Sequence, residues 1–456
     1  MAKTPDPATP VDRSEGDVNT SPERDRWQQA SLDSATRAVL EEDSRYFLHQ
    51  ALSTPCLNAV RGAEGIFLED LQGRRYMDFH GNSVHQLGFA HPAVVRAIKR
   101  QLDELSFCTR RYTNRVAVDL ARRLCELAPG DLNKVLFCPA GTGAIGMALK
   151  LARLATGRHK TISMWGSFHG ASLDAISIGG EAIFREGAGP LLPGAAHVPP
   201  PGEYRCLWAC AERGGCDLKC AEYVEYVLQH EGDVAAVIAE PIRYGPAIPA
   251  ADYWKTVRRL CDRHGALLIL DEIPTGLGRT GRMFAFEHFG IVPDIVALGK
   301  GLGGGVLPLA AIIAREGLDL AGHRALGHYT HEKNPLLCAA ALATLEVIEQ
   351  GALLQRCRRL GQHALDRLGQ MQSRYPIVGD VRGIGLLLGI ELVKDRHTKE
   401  PAVDEAERVM YLALDRGLSF KLTAGNTITL APPLVITDEQ LDRALDIVDE
   451  CLASVA

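Results

Sequence analysis

Ala266-Leu-Leu-Ile-Leu270 runs directly into Asp271-Glu272-Ile-Pro-Thr-Gly-Leu-Gly-Arg-Thr-Gly281, five apolar residues followed by an acidic pair and a glycine-rich turn. A run with no polar member offers no face to water, so it reads as a strand covered by helices on both sides. Working outward, Val234-Ala-Ala-Val-Ile-Ala239 has the same character, Ile295-Val-Ala-Leu298 and Leu309-Ala-Ala-Ile-Ile313 continue the series, and Lys134-Val-Leu-Phe-Cys138 and Thr161-Ile-Ser-Met164 read as further strands. Helical spacing of apolar residues separates them, at residues 116–128 and 144–155 among others. Strand and helix in alternation predict an α/β domain built on a mostly parallel sheet.

On either side the pattern changes. Residues 27–48 have apolar positions at helical spacing (Leu32, Ala35, Val39, Leu40), and Gly65-Ile-Phe-Leu-Glu-Asp-Leu-Gln-Gly73 leads into Arg75-Tyr-Met-Asp-Phe79 as a hairpin. From Leu353 onward, a helix, strands within 385–392, a helix at 405–415 and a strand at 427–430 predict a smaller α+β domain. The expected organisation begins with a disordered leader (1–26) rich in Pro, Asp, Ser and Thr, then an N-terminal segment packing with the small domain (27–80). A large cofactor-binding domain (81–340) follows, interrupted by a cysteine-rich insertion (204–220), and then the small C-terminal domain (341–456).

The 456 residues are 46% apolar and 23% charged, the balance of a soluble globular protein that buries a large core. Fifty Lys+Arg against 56 Asp+Glu leave a net charge of −6, without the basic field that nucleic acid requires. No apolar stretch approaches the roughly 18 residues of a membrane span, and the leader has no apolar secretory core. Twelve cysteines, mostly inside apolar runs, are too few for a disulfide scaffold of this length, so a reduced cytoplasm is the expected location.

Three loops carry chemistry. Gly141-Thr-Gly-Ala-Ile-Gly146 follows a strand and opens a helix, as a dinucleotide fingerprint would. The next strand, however, ends in Trp165-Gly166 with no acid for a ribose hydroxyl, which leaves a helix N-terminus that holds a phosphate. Gly299-Lys300-Gly301 follows another apolar strand and presents a lysine framed by glycines. A phosphate-ready helix end, an acid at the end of a buried strand (Asp271) and such a lysine together suit pyridoxal 5′-phosphate. The lysine forms the Schiff base, the acid pairs with the protonated pyridine nitrogen, and the helix end anchors the phosphate. Phe168, beyond another strand end, is an aromatic that would stack on the ring. Cys206, Cys210, Cys216 and Cys220, spaced C-x3-C-x5-C-x3-C, leave two readings open. One is a four-thiolate zinc site; the other is a surface insertion with free thiols and no metal, which is the expectation.

These motifs, in this order, make the chain from about Ile66 to its C-terminus resemble the class III, fold-type-I pyridoxal-phosphate enzymes, the ω-aminotransferase family. The resemblance lies in residues 135–153, Ser167-Phe-His-Gly170, Glu240-Pro-Ile, 271–281, 294–305 and 334–341. It implies that Lys300 is the Schiff-base lysine, Asp271 the pyridine partner, Gly141 and Thr142 phosphate-loop positions, and Phe168 and Ile273 the residues flanking the ring. Thr330, in His328-Tyr-Thr-His-Glu-Lys-Asn-Pro335, matches a residue that reaches the phosphate from a partner chain, so a homodimer with shared active sites is implied.

The family pattern breaks in places. Ala140-Gly-Thr-Gly-Ala-Ile-Gly146 lacks the acids and Asn usual at the phosphate loop, and Pro274 stands for the usual Gln. Thr429, in Thr427-Ile-Thr-Leu-Ala-Pro-Pro433, stands where an arginine usually binds carboxylates, and Ile242-Arg243-Tyr-Gly-Pro-Ala247 lacks the acid that switches that arginine. Losing both removes the device that lets one site accept two carboxylic acids. A transaminase needs a keto acid in its second half-reaction, whereas a lyase regenerates its cofactor within one turnover. Arg110, Arg111 and Arg243 are the cations offered to an anionic substrate, because the guanidinium fork matches phosphate and phosphonate.

The expected activity is therefore a carbon–nitrogen lyase releasing ammonia from a small β-hydroxylated amine, with Lys300 as the base. Residues 80–86, 107–114 and 328–335 are similar to an ammonia-lyase branch of the family that converts (R)-1-hydroxy-2-aminoethylphosphonate to phosphonoacetaldehyde. The alternative is an ω-aminotransferase with relocated carboxylate recognition. A non-catalytic pyridoxal-phosphate module fused to a DNA-binding segment ranks last, since the leader has no basic patch.

Overall fold

The computed structural model describes residues 19–210 and 214–455. Its centre is a seven-stranded sheet in the order Leu132–Cys138, Ala310–Arg315, Ile295–Leu298, Leu267–Asp271, Val234–Ala239, Lys160–Met164 and Ala195–Val198. Neighbours pair parallel except Ala310–Arg315, which runs antiparallel to both of its neighbours. An apolar run looks alike in both directions, so the reversal is not visible in the strand itself. It follows from the short link at residues 299–309, because a parallel return needs a crossover of a dozen or more residues.

Every residue of Val234–Ala239 and Ile295–Leu298 is buried, as their composition demands. Helix Gly141–Thr156 packs Ile145, Met147 and Ala148 into one core with Ile238, Ile269, Ile295 and Ile312 of the sheet. A larger core holds Trp254, Val257 and Leu260 of helix Tyr253–His264 together with Val237, Leu268 and Val296. Each such side chain, taken fully out of water, contributes about 1.5–3 kcal/mol. The sheet is thus a rigid frame whose parallel strands open at one edge, the place where α/β sheets bind ligands. Asp271 and the loops that begin at Trp165, Glu240 and Gly299 all leave from that edge.

A second sheet is antiparallel throughout: Val378–Ile384, Leu387–Asp395, Thr427–Leu430 and Lys421–Thr423 in order, with Glu400–Pro401 added beside Leu387–Asp395. Helices Leu353–Arg374 and Val403–Asp415 pack on it, and Asp438–Ala453 packs on both helices. A third sheet joins Val60–Glu64, Phe67–Asp70 and Arg75–Asp78 to Leu418–Ser419, and Trp27 Nε1 donates to Asp415 Oδ1 at 2.7 Å.

Two sequence expectations change near the N-terminus. The helix expected over 27–48 is two helices, Pro22–Ser31 and Ser34–Tyr46, because the Asp33 carboxylate accepts the Thr36 N–H at 2.8 Å and starts a new one. The first begins at Pro22, inside the stretch expected to be a disordered leader; residues 1–18 of that leader lie outside the described residues. Among the described residues no single helix is long and apolar enough to cross a membrane. The one pair with suitable composition, Pro335–Gln350 and Leu353–Arg374, is bent by 64°, and Pro335–Gln350 buries most of its apolar residues.

The strand Arg75–Asp78 feeds a loop that reaches the open edge of the large sheet. Its turn is fixed by the Asp78 carboxylate, which accepts the N–H of His80 at 2.9 Å and of Gly81 at 3.0 Å. His85 is fully buried with Nε2 3.0 Å from Asp78 O. Burial, and then the Arg279 charge, push its pKa down from 6.5 to about 4. The unfolded chain therefore takes up this proton first. The contribution to stability is complete above about pH 6.5 and is lost as pH falls from there to about 4, at about 1.4 kcal/mol per pH unit. Urea titrations at pH 7 and pH 5 should differ by about 2 kcal/mol through this group, and His85→Asn should remove that difference.

Candidate active site

The strand ends open into a cavity of about 450 Å³. Asp271 closes the Leu267–Asp271 strand and is 2% exposed. One carboxylate oxygen accepts the Ile273 N–H at 3.0 Å, and the other lies 2.8 Å from His169 Nδ1. The His169 side chain is fully buried, and its Nε2 has no partner among the described residues.

Lys300 begins a short turn after Ile295–Leu298 and takes a left-handed backbone, φ 47°. Its Nζ lies 6.0 Å from the centre of the Tyr244 ring. The glycine after it has a packing reason, because a Cβ on Gly301 would fall 1.9 Å from the Gln86 side chain. Helix Gly141–Thr156 starts at Gly141, three residues before the apolar pattern does, and Ala140 provides no side-chain cap. Its first N–H groups are thus offered to an outside acceptor. A Cβ on Gly141 would lie 2.8 Å from Ile273 Cδ1, so the glycine is what lets Ile273 close on the helix end. Thr142 Oγ1 accepts the Ser172 N–H at 3.3 Å, and Phe168 packs on Phe184 with ring centres 4.5 Å apart.

His80, Asn82, Ser83, Glu240, Tyr244, Lys421 and Thr423 also line the cavity. Burial, then the charges of Lys421 and Lys300, push His80 down to about 3, so its imidazole is neutral at ordinary pH. Burial, then the Asp271 charge, raise the Glu240 carboxyl above its usual range. Arg243 lines the cavity with Nη2 3.0 Å from Glu181 Oε1, and Glu181 is 4% exposed. Arg243 thus has an acid partner that comes from a distant part of the chain. Thr429 is fully buried, its hydroxyl 2.9 Å from that of Thr423.

Of the residues expected from sequence, the cavity brings together Gly141, Thr142, Phe168, Asp271, Ile273, Lys300 and Arg243. Arg110, Arg111 and Thr330 are exposed outside it. Arg110 Nη2 is 2.6 Å from His328 Nε2 and Phe107 packs edge-on to His331, so the loops holding these residues lie against each other. In the cysteine-rich insertion Cys206 Sγ is 3.2 Å from Cys210 Sγ, which also lies 3.5 Å from Asp217 Oδ1. None of the four cysteines is in a disulfide, and among the described residues no group of three or more His, Cys, Asp or Glu is placed to hold a metal. Sequence reading missed His169, Glu181 and Lys421. Only His169 left a signal, its place in Ser167-Phe-His-Gly170.

A mostly parallel sheet whose open edge gathers a buried acid, a lysine and an uncapped helix end defines a fold-type-I pyridoxal-phosphate protein. The sequence matches the family model Aminotransferase class-III over residues 49–452, and the chain belongs to that family. It is 50% identical to the (R)-1-hydroxy-2-aminoethylphosphonate ammonia-lyase of Vibrio splendidus, covering 97% of this chain and 95% of that one. Among solved structures it is similar to an aminotransferase of Bacillus anthracis, with TM-score 0.85, 32% identity and coverage of 93% and 100% of the two chains. It is also similar to a PLP-bound amine transaminase from an uncultivated Pseudomonas species, with TM-score 0.83, 30% identity and coverage of 90% and 99%.

The residues present fit that cofactor. The buried Asp271–His169 couple is an acid for a ring nitrogen, the uncapped helix end at Gly141 an acceptor-seeking cradle for a phosphate, and the Gly141–Ile273 contact one wall of a flat slot.

Proposed function

We propose that the chain is a pyridoxal-phosphate-dependent ammonia-lyase that converts (R)-1-hydroxy-2-aminoethylphosphonate to phosphonoacetaldehyde and ammonia. The observation that carries this is the 50% identity to a lyase of that activity over 97% of the chain. The substitution of Thr429 for an arginine fork supports it, since that threonine is buried against Thr423 and has no charge for a keto acid. The solved transaminases favour a second reading, an aminotransferase acting between an amine and a keto acid.

Gly141 and Thr142 N–H groups would hold the phosphate, and Phe168 and Ile273, which line the same cavity, would flank the ring. When bound, the cofactor supplies an electron sink for the pair left behind as a proton departs from the carbon beside nitrogen. Asp271, oriented by His169, holds a proton at the ring nitrogen and so keeps the sink open. Lys300 Nζ takes the proton from the substrate carbon, and its left-handed backbone sets the direction from which it reaches. His80 lines the same cavity as Lys300 and Lys421, and its neutral imidazole offers an N–H donor to the substrate hydroxyl there. Thr330 and the Arg110–Arg111 loop, outside this chain's cavity, belong to a homodimer contact in which Thr330 reaches the partner's phosphate. The enzyme works in the cytoplasm.

The test is stoichiometric. With the hydroxyaminophosphonate and no keto acid, ammonia should accumulate to many equivalents per active site. Release that stops at one equivalent and resumes on adding pyruvate or 2-oxoglutarate would establish the aminotransferase instead.

A further inference from the structure

We propose that Lys421 is the residue that anchors the phosphonate group of the substrate. This rests on the ammonia-lyase reading above and goes beyond it by naming the cation that selects the substrate class. The strand Lys421–Thr423 pairs antiparallel with Thr427–Leu430, and the register sets Lys421 directly opposite Thr429 and Thr423 opposite Thr427. Directly opposed residues share a face of the sheet, and alternate residues along a strand do too. Lys421 and Thr423 both line the cavity, whereas Leu422 between them is 1% exposed in the core. One face of this hairpin is therefore cavity wall, and Lys421 is the cation it carries, across the ladder from the threonine that lacks one.

Among the described residues, three lysine or arginine side chains line the cavity: Arg243, Lys300 and Lys421. Lys300 is assigned to the cofactor and the proton. Arg243 belongs to the loop after Val234–Ala239, on the large sheet, and lies 3.0 Å from Glu181 Oε1. Lys421 is the cation that stands on the Thr429 face of the wall. Its charge and that of Lys300 both act on the His80 imidazole, so the two amines face one compartment. A small substrate held by its amine near Lys300 then has its anionic end within that compartment. A lysine suits this end, because a compact ammonium with three donors meets a tetrahedral anion from many directions, whereas the planar arginine fork favours a bidentate carboxylate.

The experiment compares wild-type holoenzyme with Lys421→Met, Lys421→Arg and Arg243→Gln. Calorimetry gives Kd for 2-aminoethylphosphonate, which has no hydroxyl to lose. Keto-acid-free assays give KM and kcat for 1-hydroxy-2-aminoethylphosphonate, for its carboxylate analogue 3-amino-2-hydroxypropanoate and for neutral 1-amino-2-propanol. Lys421→Met should raise Kd and KM for the phosphonates by about 10- to 100-fold, the range of a lost charged hydrogen bond. The preference in kcat/KM for phosphonate over neutral amine should fall by the same factor, and Lys421→Arg should recover most of it. The proposal is overturned if phosphonate binding survives Lys421→Met, if the neutral amine loses as much, if only Arg243→Gln loses it, or if wild type takes the carboxylate analogue as well as the phosphonate. A wild type that binds the aminophosphonate but releases no ammonia overturns the lyase reading alone, and the Kd comparison still decides Lys421.

Discussion

Lys300→Ala should release ammonia at least about 10,000-fold more slowly than wild type, the combined loss of a positioned base and of covalent attachment. It should also lose borohydride-fixable cofactor, while its far-ultraviolet circular dichroism stays unchanged. The reason is positional. Lys300 stands at the end of a strand whose residues are all buried, in a turn whose left-handed backbone aims it into the cavity. The cavity's other lysine, Lys421, is on a different sheet. Lys300→Arg separates the proton role from charge alone. Arginine keeps the positive charge but neither gives up its proton near neutral pH nor condenses readily with an aldehyde, so it should be as inactive as alanine. Cofactor still fixed to Lys300→Ala by borohydride would show that another lysine does the work.

What the sequence makes legible here is local, and what it conceals is pairing. The strand ending at Asp271 and the turn carrying Lys300 are readable because an all-apolar run has only one comfortable environment, and the polar residue that ends it must do something. The start of helix Gly141–Thr156 is blurred by its glycines, which carry no apolar signal yet form its first turn. The antiparallel strand Ala310–Arg315 is hidden because direction lives in the connecting loop. The break between the two N-terminal helices is the work of one cap, Asp33, against an otherwise continuous helical pattern. Lys421 is invisible for the strongest reason. It sits in a three-residue strand too short for a period-two pattern, and its meaning comes from lying across from Thr429. Glu181 reaches Arg243 over a separation of 62 residues, which no spacing rule encodes.

Asp271→Asn should reduce turnover by about 1,000-fold, within the range of removing a charged group aimed at a reacting centre. The substitution conserves shape in a position that is 2% exposed, so packing is not what it tests. It removes the charge that holds a proton at the cofactor ring, and an amide oxygen is a far weaker acceptor than a carboxylate. Asp271→Glu keeps the charge but forces an extra methylene into a filled site, which costs about 1–3 kcal/mol and displaces the carboxylate from His169. It should therefore recover only part of the activity. His169→Asn discriminates further. His169 Nδ1 bonds the carboxylate oxygen that does not serve the Ile273 N–H, so it orients Asp271 without replacing its charge. Its loss should cost about 10- to 100-fold in kcat, the scale typical of an outer partner that orients a ligand. KM for the amine should move little, because neither residue bears on the phosphonate end. If Asp271→Asn instead raised KM and left kcat near wild type, Asp271 would be binding substrate and the ring nitrogen would have to find its acid elsewhere, at Glu240 or Glu181, the other carboxylates lining the cavity.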